Sequence, residues 1–253
     1  MAVGIIGLGR LGGALARGLA RAGDIETYVF SRSATSASGV LAGAAGVMLL
    51  ESAAAVFERC DVVFVWMGPE DARAVLTSCA EVVTRRRPFL VSSTNQVRFG
   101  EFSPRWATTL PNVNLCVGRG ATLLTWNVPP TAADREAVLA PLRACGAVYE
   151  VGEQEMAFFC GLTSNGPALY ARAMEGWADT VADRHGFDRE RCRELVRQTV
   201  AGTIALQEAE GIDAAEVIRR VAHPGASTER GLRVLDAQVE PVSEQVLRAM
   251  GQW

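Results

Sequence analysis

Residues 3–22 constrain this chain most. Val3-Gly4-Ile5-Ile6 is a short apolar run, and Gly7-Leu8-Gly9-Arg10-Leu11-Gly12 follows it without a break. Beyond that turn, Leu11, Leu15 and Leu19 recur every four residues, the period of a helix with one buried face, here spanning about Arg10 to Ala22. Strand, glycine turn and helix therefore stand in that order. Each glycine of a G-x-G-x-x-G has a task in this setting: a tight turn, backbone room for a pyrophosphate, and close helix–strand packing. The bare pattern arises easily in a chain with 25 glycines, so the strand–turn–helix context is what makes it a dinucleotide signal. Arg10 is either a pyrophosphate contact or an exposed first-turn arginine.

The alternation continues through about residue 150. Thr27–Phe30, Gly46–Leu50, Asp61–Trp66 and Pro88–Val91 read as strands, and 114–124 holds another. Pro69 suits the first position of a helix running to about Thr84. Thr131 and Asp134 have the spacing of a capping box opening a helix to Ala144, and Ala147-Val148-Tyr149 closes the sheet. Continuous apolar strands alternating with helices predict an α/β domain whose mostly parallel sheet is covered on both faces. With the glycine turn, that is a Rossmann-like dinucleotide-binding domain over 1–150.

The texture changes over 151–253. Leu169, Ala173, Trp177 and Val181 form one helical stripe, and a second long helix is expected from Asp188 to about Glu208. Shorter helices are expected over 214–221, 227–235 and 243–250. This half reads as an all-helical domain whose apolar stripe is too generous for a lone helix pair. Residues 34–45 are an Ala/Ser/Gly-rich stretch.

Composition narrows the chemistry. The chain has no lysine, so all 25 Lys+Arg residues are arginine, and Schiff-base or lysine general-acid mechanisms are excluded. Its 2 histidines, His185 and His223, leave little room for a His-rich metal site or a Ser-His-Asp relay, and no metal is expected. A net charge of −3 gives no basic footprint for nucleic acid. No apolar run approaches the roughly 18 residues of a membrane span, and no secretory leader is read at the start. The 6 cysteines are scattered without a C-x-x-C pair, as expected of reduced, mostly buried thiols in a cytoplasmic protein.

At the end of the second strand, where NAD-binding domains usually carry an acidic residue for the ribose, stand Ser31-Arg32-Ser33. A guanidinium and two hydroxyls suit a 2′-phosphate, so NADPH is expected over NADH. The other reading of Arg32 is a solvated surface arginine.

His223-Pro224-Gly225-Ala226-Ser227-Thr228, followed by Gly231-Leu232 and Leu235, resembles the Ser-Pro-Gly-Gly-x-Thr signature of pyrroline-5-carboxylate reductases. Leu162-Thr163-Ser164-Asn165-Gly166-Pro167-Ala168 is similar to that family's Leu-Ser-Gly-Ser-Gly-Pro-Ala, with Glu175 and Ala178-Asp179 following as expected. Gln198-Thr199 with Gly202, Leu110-Pro111-Asn112, and Gly118 with Gly120 match as well, so the resemblance runs along nearly the whole chain.

The resemblance implies a helical domain that interlocks with its partner's as a homodimer, with further assembly in many members. It implies hydride transfer from NAD(P)H to the C=N carbon of 1-pyrroline-5-carboxylate, giving proline. By position, Thr228 would hydrogen-bond the ring nitrogen, and backbone N–H groups of Gly225, Ala226, Ser227 and Thr228 would hold the substrate carboxylate. Asn165 and Glu175 fall at substrate-side positions. Trp66, Met67, Gly68 and Pro69, with Ser93, Thr94 and Asn95, would line the cofactor. A cyclic imine is protonated by solvent before attack, so the enzyme mainly positions its carbon about 3–3.5 Å from the nicotinamide. Ser227 or Thr228 also reads as a helix N-cap.

The departures cluster around cofactor and substrate. The family's Ser before Pro is His223, its second Gly is Ala226, and its Gly-Ser-Gly is Ser164-Asn165-Gly166. Val-Lys-Pro has become Met67-Gly68-Pro69, Ala-Ala-Gly is Thr94-Asn95-Gln96, and Thr-Pro is Val113-Asn114. An Asn that many members carry is Ala53. His223 is read either as a substrate-facing acid or carboxylate partner, or as a turn histidine bonded to backbone. His185, before Gly186, reads as a C-terminal capping cation. Trp66 and Trp177 read as packing residues. Besides the default imine, two alternatives stay open: a divergent paralogue reducing another imine, and a non-catalytic NADP-binding dimer. A β-hydroxyacid dehydrogenase shares the architecture, but its catalytic lysine has no counterpart here.

Overall fold

The computed structural model describes residues 2–94 and 96–251. Its first half is an eight-stranded sheet in the order β3-β2-β1-β4-β5-β6-β7-β8. The strands are β1 (Ala2–Ile6), β2 (Glu26–Phe30), β3 (Val47–Leu49), β4 (Val62–Val65), β5 (Phe89–Ser92), β6 (Trp106–Leu110), β7 (Gly120–Trp126) and β8 (Gly146–Glu150). Neighbours are parallel except β6 and β7, so β7 and β8 run against the rest. The order reverses between β1 and β4, and the crevice at such a switch point, outside the carboxyl ends of the strands, is where ligands bind in open α/β sheets.

Side-chain alternation divides two cores across this sheet. Val3, Ile5, Val62, Phe64, Phe89 and Val91 belong to one, packed with α1 (Arg10–Ala22) and α6 (Ala132–Arg143). Ile6, Val63, Val65 and Leu90 point the other way, against α3 (Ala53–Arg59), α4 (Pro69–Ser78) and α5 (Ala80–Arg86). This is the two-sided burial that continuous apolar strands require. The capping box forms as expected: Asp134 N–H donates to Thr131 Oγ1 at 3.1 Å, and Thr131 N–H to Asp134 Oδ2 at 3.3 Å.

Several elements differ from the sequence reading. The helix expected over 69–84 is two, broken at Cys79, whose φ of −106° and ψ of 13° leave the helical region. The Ala/Ser/Gly-rich stretch contains α2 (Ala34–Leu41), and α3 is a further helix the periodicity did not reveal. Within 114–124 the strand begins only at Gly120, after a 3-10 turn over Val113–Val117. β6 escaped notice because its centre, Thr108-Thr109, is polar. Both threonines are buried and bonded: Thr109 Oγ1 donates to Ser92 O at 2.7 Å, and Thr108 Oγ1 to Asn127 Oδ1 at 2.8 Å.

Contacts divide the chain into two compact units, Met1–Pro167 and Ala168–Trp253. The first runs past the boundary read at 150, because the next segment is tied back to the sheet. Thr125 Oγ1 donates to Val151 O at 2.8 Å, and Met156 of α7 (Glu153–Phe159) is buried. Asn112 Nδ2 donates to Thr163 O at 3.2 Å, and Ser164 Oγ to Pro111 O at 3.1 Å.

The second unit holds most of α8 (Gly166–His185), then α9 (Arg189–Glu210), α10 (Ala214–Val221) and α11 (Ser227–Ala249). The two short helices expected over 227–235 and 243–250 are one. Pro241 lies inside α11, and the Ala237 carbonyl it leaves without an amide donor is on an exposed residue, where water can serve it. Asp188 and Asp213 cap α9 and α10 through Arg191 N–H and Glu216 N–H. The stripe Leu169, Ala173, Trp177, Val181 does not pack into the unit: Trp177 is 61% exposed, while Ala178 and Ala182, one residue along, are buried with Cys192. Trp177, read as a packing residue, makes no core within this chain.

Candidate active site

The glycine turn leaves the end of β1 with Gly7 at φ +99°. A Cβ there would stand 2.6 Å from Trp66 O, and one on Gly12 only 1.9 Å from Gly7 O, so turn and helix close tightly. Over Gly9 a Cβ would meet nothing within 4 Å. Gly9 is the N-cap of α1 with no side-chain cap, and the first turn carries no acid. Amides facing open space at a helix start, without a competing carboxylate, fit a pyrophosphate. A crevice of about 440 Å³ opens here, lined by Gly9, Arg10, Leu11, Trp66, Met67 and Ser93. Leu8 is buried beneath the turn, and Arg10 is exposed at its rim.

The predicted cofactor residues of the first unit therefore gather at the carboxyl ends of β1, β2, β4 and β5. Trp66 is 3% exposed and meets Phe64 edge-to-face at 5.3 Å; its Nε1 has no hydrogen-bond partner among the described residues. Gly68 is the N-cap and Pro69 the first residue of α4. Ser92 Oγ accepts from Thr94 N–H at 3.0 Å and donates to Thr94 O at 2.7 Å, which fixes the turn carrying Ser93 and Thr94. Asn95 lies outside the described residues.

Ser31, Arg32 and Ser33 follow β2 as a turn in which Ser33 N–H donates to Ser31 Oγ at 3.3 Å. Arg32 does not stand alone. Its Nη2 is 2.6 Å from Asp71 Oδ1, on the first turn of α4, and both side chains are exposed. The sequence reading found no carboxylate beside Arg32 because Asp71 reaches it only through the fold.

In the second unit, α10 ends at Val221 and a turn leads into α11. Ala226 N–H donates to His223 O at 3.0 Å, and Gly225 has φ +79°. The N-cap of α11 is Ala226, not Ser227 or Thr228; these are the first two helical residues, and no side-chain cap forms. The capping role expected for either hydroxyl is therefore not the one they have. Gly225 N–H donates to Glu229 Oε2 at 2.7 Å, Glu229 Oε1 pairs with Arg233 Nη2 at 2.8 Å, and Arg230 Nη1 donates to Gly225 O at 2.9 Å. Arg233 and then the Gly225 amide hold the Glu229 carboxyl below its ordinary value. His223 is exposed, with its carbonyl serving the turn.

Two further predicted substrate residues lie in other segments of the chain. Glu175 lies on α8 in a shallow groove against Arg193 and Val196 of α9. Asn165 belongs to the first unit, where its N–H donates to Cys160 O at 3.0 Å. His185 is the last residue of α8, before Gly186 at φ +67°. All six cysteines are free thiols, four of them buried, and burial pushes Cys60 and Cys145 up to about 12. Thiols so placed are poor nucleophiles.

Residues 153–252 match the family model described as pyrroline-5-carboxylate reductase dimerisation. Residues 2–96 match a model described as NADP oxidoreductase coenzyme F420-dependent. The pyrroline-5-carboxylate reductase 3 of Macaca fascicularis is 30% identical over 241 residues, covering 92% of this chain and 87% of that one. The chain belongs to the pyrroline-5-carboxylate reductase family. It is thus an oxidoreductase of the class acting on CH–NH bonds. The fold agrees: the reductase of Coxiella burnetii superposes with a TM-score of 0.86 at 21% identity, covering 98% of this chain and 94% of that one. That of Plasmodium falciparum, solved with NADP bound, gives 0.79 at 22% identity, covering 96% and 92%.

Against the reductase pattern, the geometry sorts the departures. Met67 and Gly68 stand at the crevice mouth and the cap of α4, so no side-chain cation arises from that segment. His223 and Ala226 are the two ends of the turn's backbone hydrogen bond, which uses main-chain atoms only and tolerates both exchanges. Two carboxylates outside the matching motifs, Asp71 and Glu229, engage the Arg32 guanidinium and the Gly225 amide of the two candidate segments.

Proposed function

We propose that this chain reduces a cyclic imine with NADPH, by default 1-pyrroline-5-carboxylate to L-proline. One observation carries the reading most: the uncapped glycine turn opening α1 at the switch point of the sheet, in a chain of this family. NADPH, when bound, supplies the hydride. The amides around Gly9 hold the pyrophosphate, and Ser31, Arg32 and Ser33 hold the 2′-phosphate, for which Arg32 must share or exchange Asp71. Trp66 to Pro69, with Ser93 and Thr94, line the site.

On the substrate side, the amides of Ser227 and Thr228, with that of Gly225 once Glu229 yields it, seat the carboxylate at the start of α11, the Ala226 amide staying on His223 O, and Thr228 Oγ1 hydrogen-bonds the ring nitrogen. The imine nitrogen takes its proton from solvent and its carbon takes the hydride, so the C=N bond becomes a secondary amine. The chain holds and orients, and no lysine is needed. Residues 1–150 supply the dinucleotide half of this reading and 151–253 the substrate and dimerisation half. The exposed apolar residues Trp177, Leu195, Ile204, Val234 and Val239 support a homodimer through the helices. No helix among the described residues is long and apolar enough to cross a membrane. We place the enzyme in the cytoplasm on the strength of its free thiols.

Thr228→Ala tests the assignment, with an expected loss of about 10²-fold in kcat for the imine. Full activity in that variant would remove Thr228 from the chemistry. A second reading keeps fold and hydride transfer but changes the imine, and the exchanges at His223, Ala226 and Gly68 favour it. A panel of cyclic imines decides: turnover of a relative without turnover of the pyrroline carboxylate selects the divergent paralogue.

A further inference from the structure

The amide of Gly225 is already bonded to a carboxylate from its own chain. Glu229 Oε2 accepts that N–H at 2.7 Å, while Oε1 is fixed by Arg233 at 2.8 Å and Arg230 clamps the Gly225 carbonyl at 2.9 Å. The arrangement is held from both sides of the carboxylate. A substrate carboxylate entering the same turn wants the same donor and meets a like charge there. An imine ring without a carboxylate meets neither obstacle.

We infer that Glu229 is a specificity-determining residue, an internal competitor for Gly225 N–H that weakens selection of carboxylated over carboxylate-free cyclic imines. The inference rests on the carboxylate seat proposed above at Gly225 to Thr228. Bound there, the substrate's carboxylate displaces Glu229, which keeps Arg233 as its partner. The selectivity of the site is then the difference between two carboxylates contending for one amide. A helix cap alone would be a simpler duty for Glu229, since it is the third helical residue of α11. A cap contributes to melting temperature and leaves the ratio between two substrates of one ring alone.

The test compares kcat/KM for 1-pyrroline-5-carboxylate and for 1-pyrroline, with NADPH, in the full-length wild type and two variants. Glu229→Ala is expected to raise the ratio of carboxylated to bare imine about tenfold, the scale of one charge-assisted hydrogen bond. Glu229→Gln, which keeps an acceptor oxygen without the charge, is expected to raise it about threefold and serves if the alanine variant folds poorly. A ratio unchanged within about twofold, or a falling one, overturns the inference whatever happens to the melting temperature. Calorimetric binding of L-proline to the NADP⁺-loaded protein is the second readout. Affinity should rise about tenfold in Glu229→Ala, and equal affinity overturns the inference even where no imine is turned over. Absence of turnover in every protein, with proline affinity still rising, condemns the imine-reducing reading instead and leaves Glu229 in the role argued.

Discussion

Two donors suited to ligand anions are engaged by the chain's own carboxylates, Arg32 by Asp71 and Gly225 N–H by Glu229. At exposed sites such pairs are worth little by themselves, so a dianionic phosphate can outbid Asp71 for the guanidinium. Arg32→Ala should therefore raise the KM for NADPH by roughly tenfold and leave that for NADH within about twofold. Asp71→Asn should lower the NADPH value a few-fold. Parallel steady-state titrations of the two cofactors check both, and equal shifts for NADPH and NADH would make Arg32 a surface arginine. The glycine turn and Arg32 were legible because their chemistry lies within one short segment. Asp71 was not: it stands on α4, and only the parallel placement of β2 and β4 on either side of β1 brings it to the end of β2. Glu229 had a local signal, a carboxylate in the first turn after a helix start without a polar cap, and attention to capping spacing around 226–229 would have found it.

Among elements, α1 and α6 followed from pattern because local cause and tertiary role coincide in them. A leucine every fourth residue buries α1, and Thr131 with Asp134 starts α6. Pattern failed where a local rule met a tolerant setting. Pro241 should break a helix, yet α11 runs through it on an exposed face, and β6 carries polar residues inward because each finds a partner. Asp134 links this scale to stability. Burial raises its carboxyl, but the Arg105 guanidinium and Thr131 outweigh that and hold it below the ordinary 3.8. A folded value below the unfolded one stabilises the fold at pH above the unfolded value, and the gain is lost as pH falls through the folded one. Asp134→Asn should therefore lower the melting temperature at neutral pH. The deficit should shrink as pH falls below the ordinary 3.8 and through the lowered folded value, as seen in thermal melts of both proteins across pH. A deficit independent of pH would assign the loss to packing.

For the whole molecule, the two halves differ in how much they bury for themselves. The sheet unit has complete cores on both faces, whereas α10 and α11 bury no residue, and Trp177 and Val234 stand 61% and 65% exposed. Helices with apolar faces left open in this way draw their stability from packing against another body, which in the proposed homodimer is a second copy. Trp177→Glu should convert a homodimer into monomer or aggregate in light scattering; an unchanged dimer would place the interface elsewhere. The generous stripe was visible in the sequence, but its direction was not, because periodicity reports a face and never says which body covers it.

In the proposed reaction this fold carries hydride to the carbon of a C=N bond. The most direct measurement mixes the wild-type protein with 1-pyrroline-5-carboxylate and NADPH deuterated at the transferred position of C4, and follows the product by mass spectrometry. The expected product is L-proline carrying one deuterium at ring carbon 5, formed about 10²-fold more slowly by Thr228→Ala. NADPH binding without deuterated product from this imine or any relative would contradict it, and would leave a dinucleotide-binding protein without the reaction.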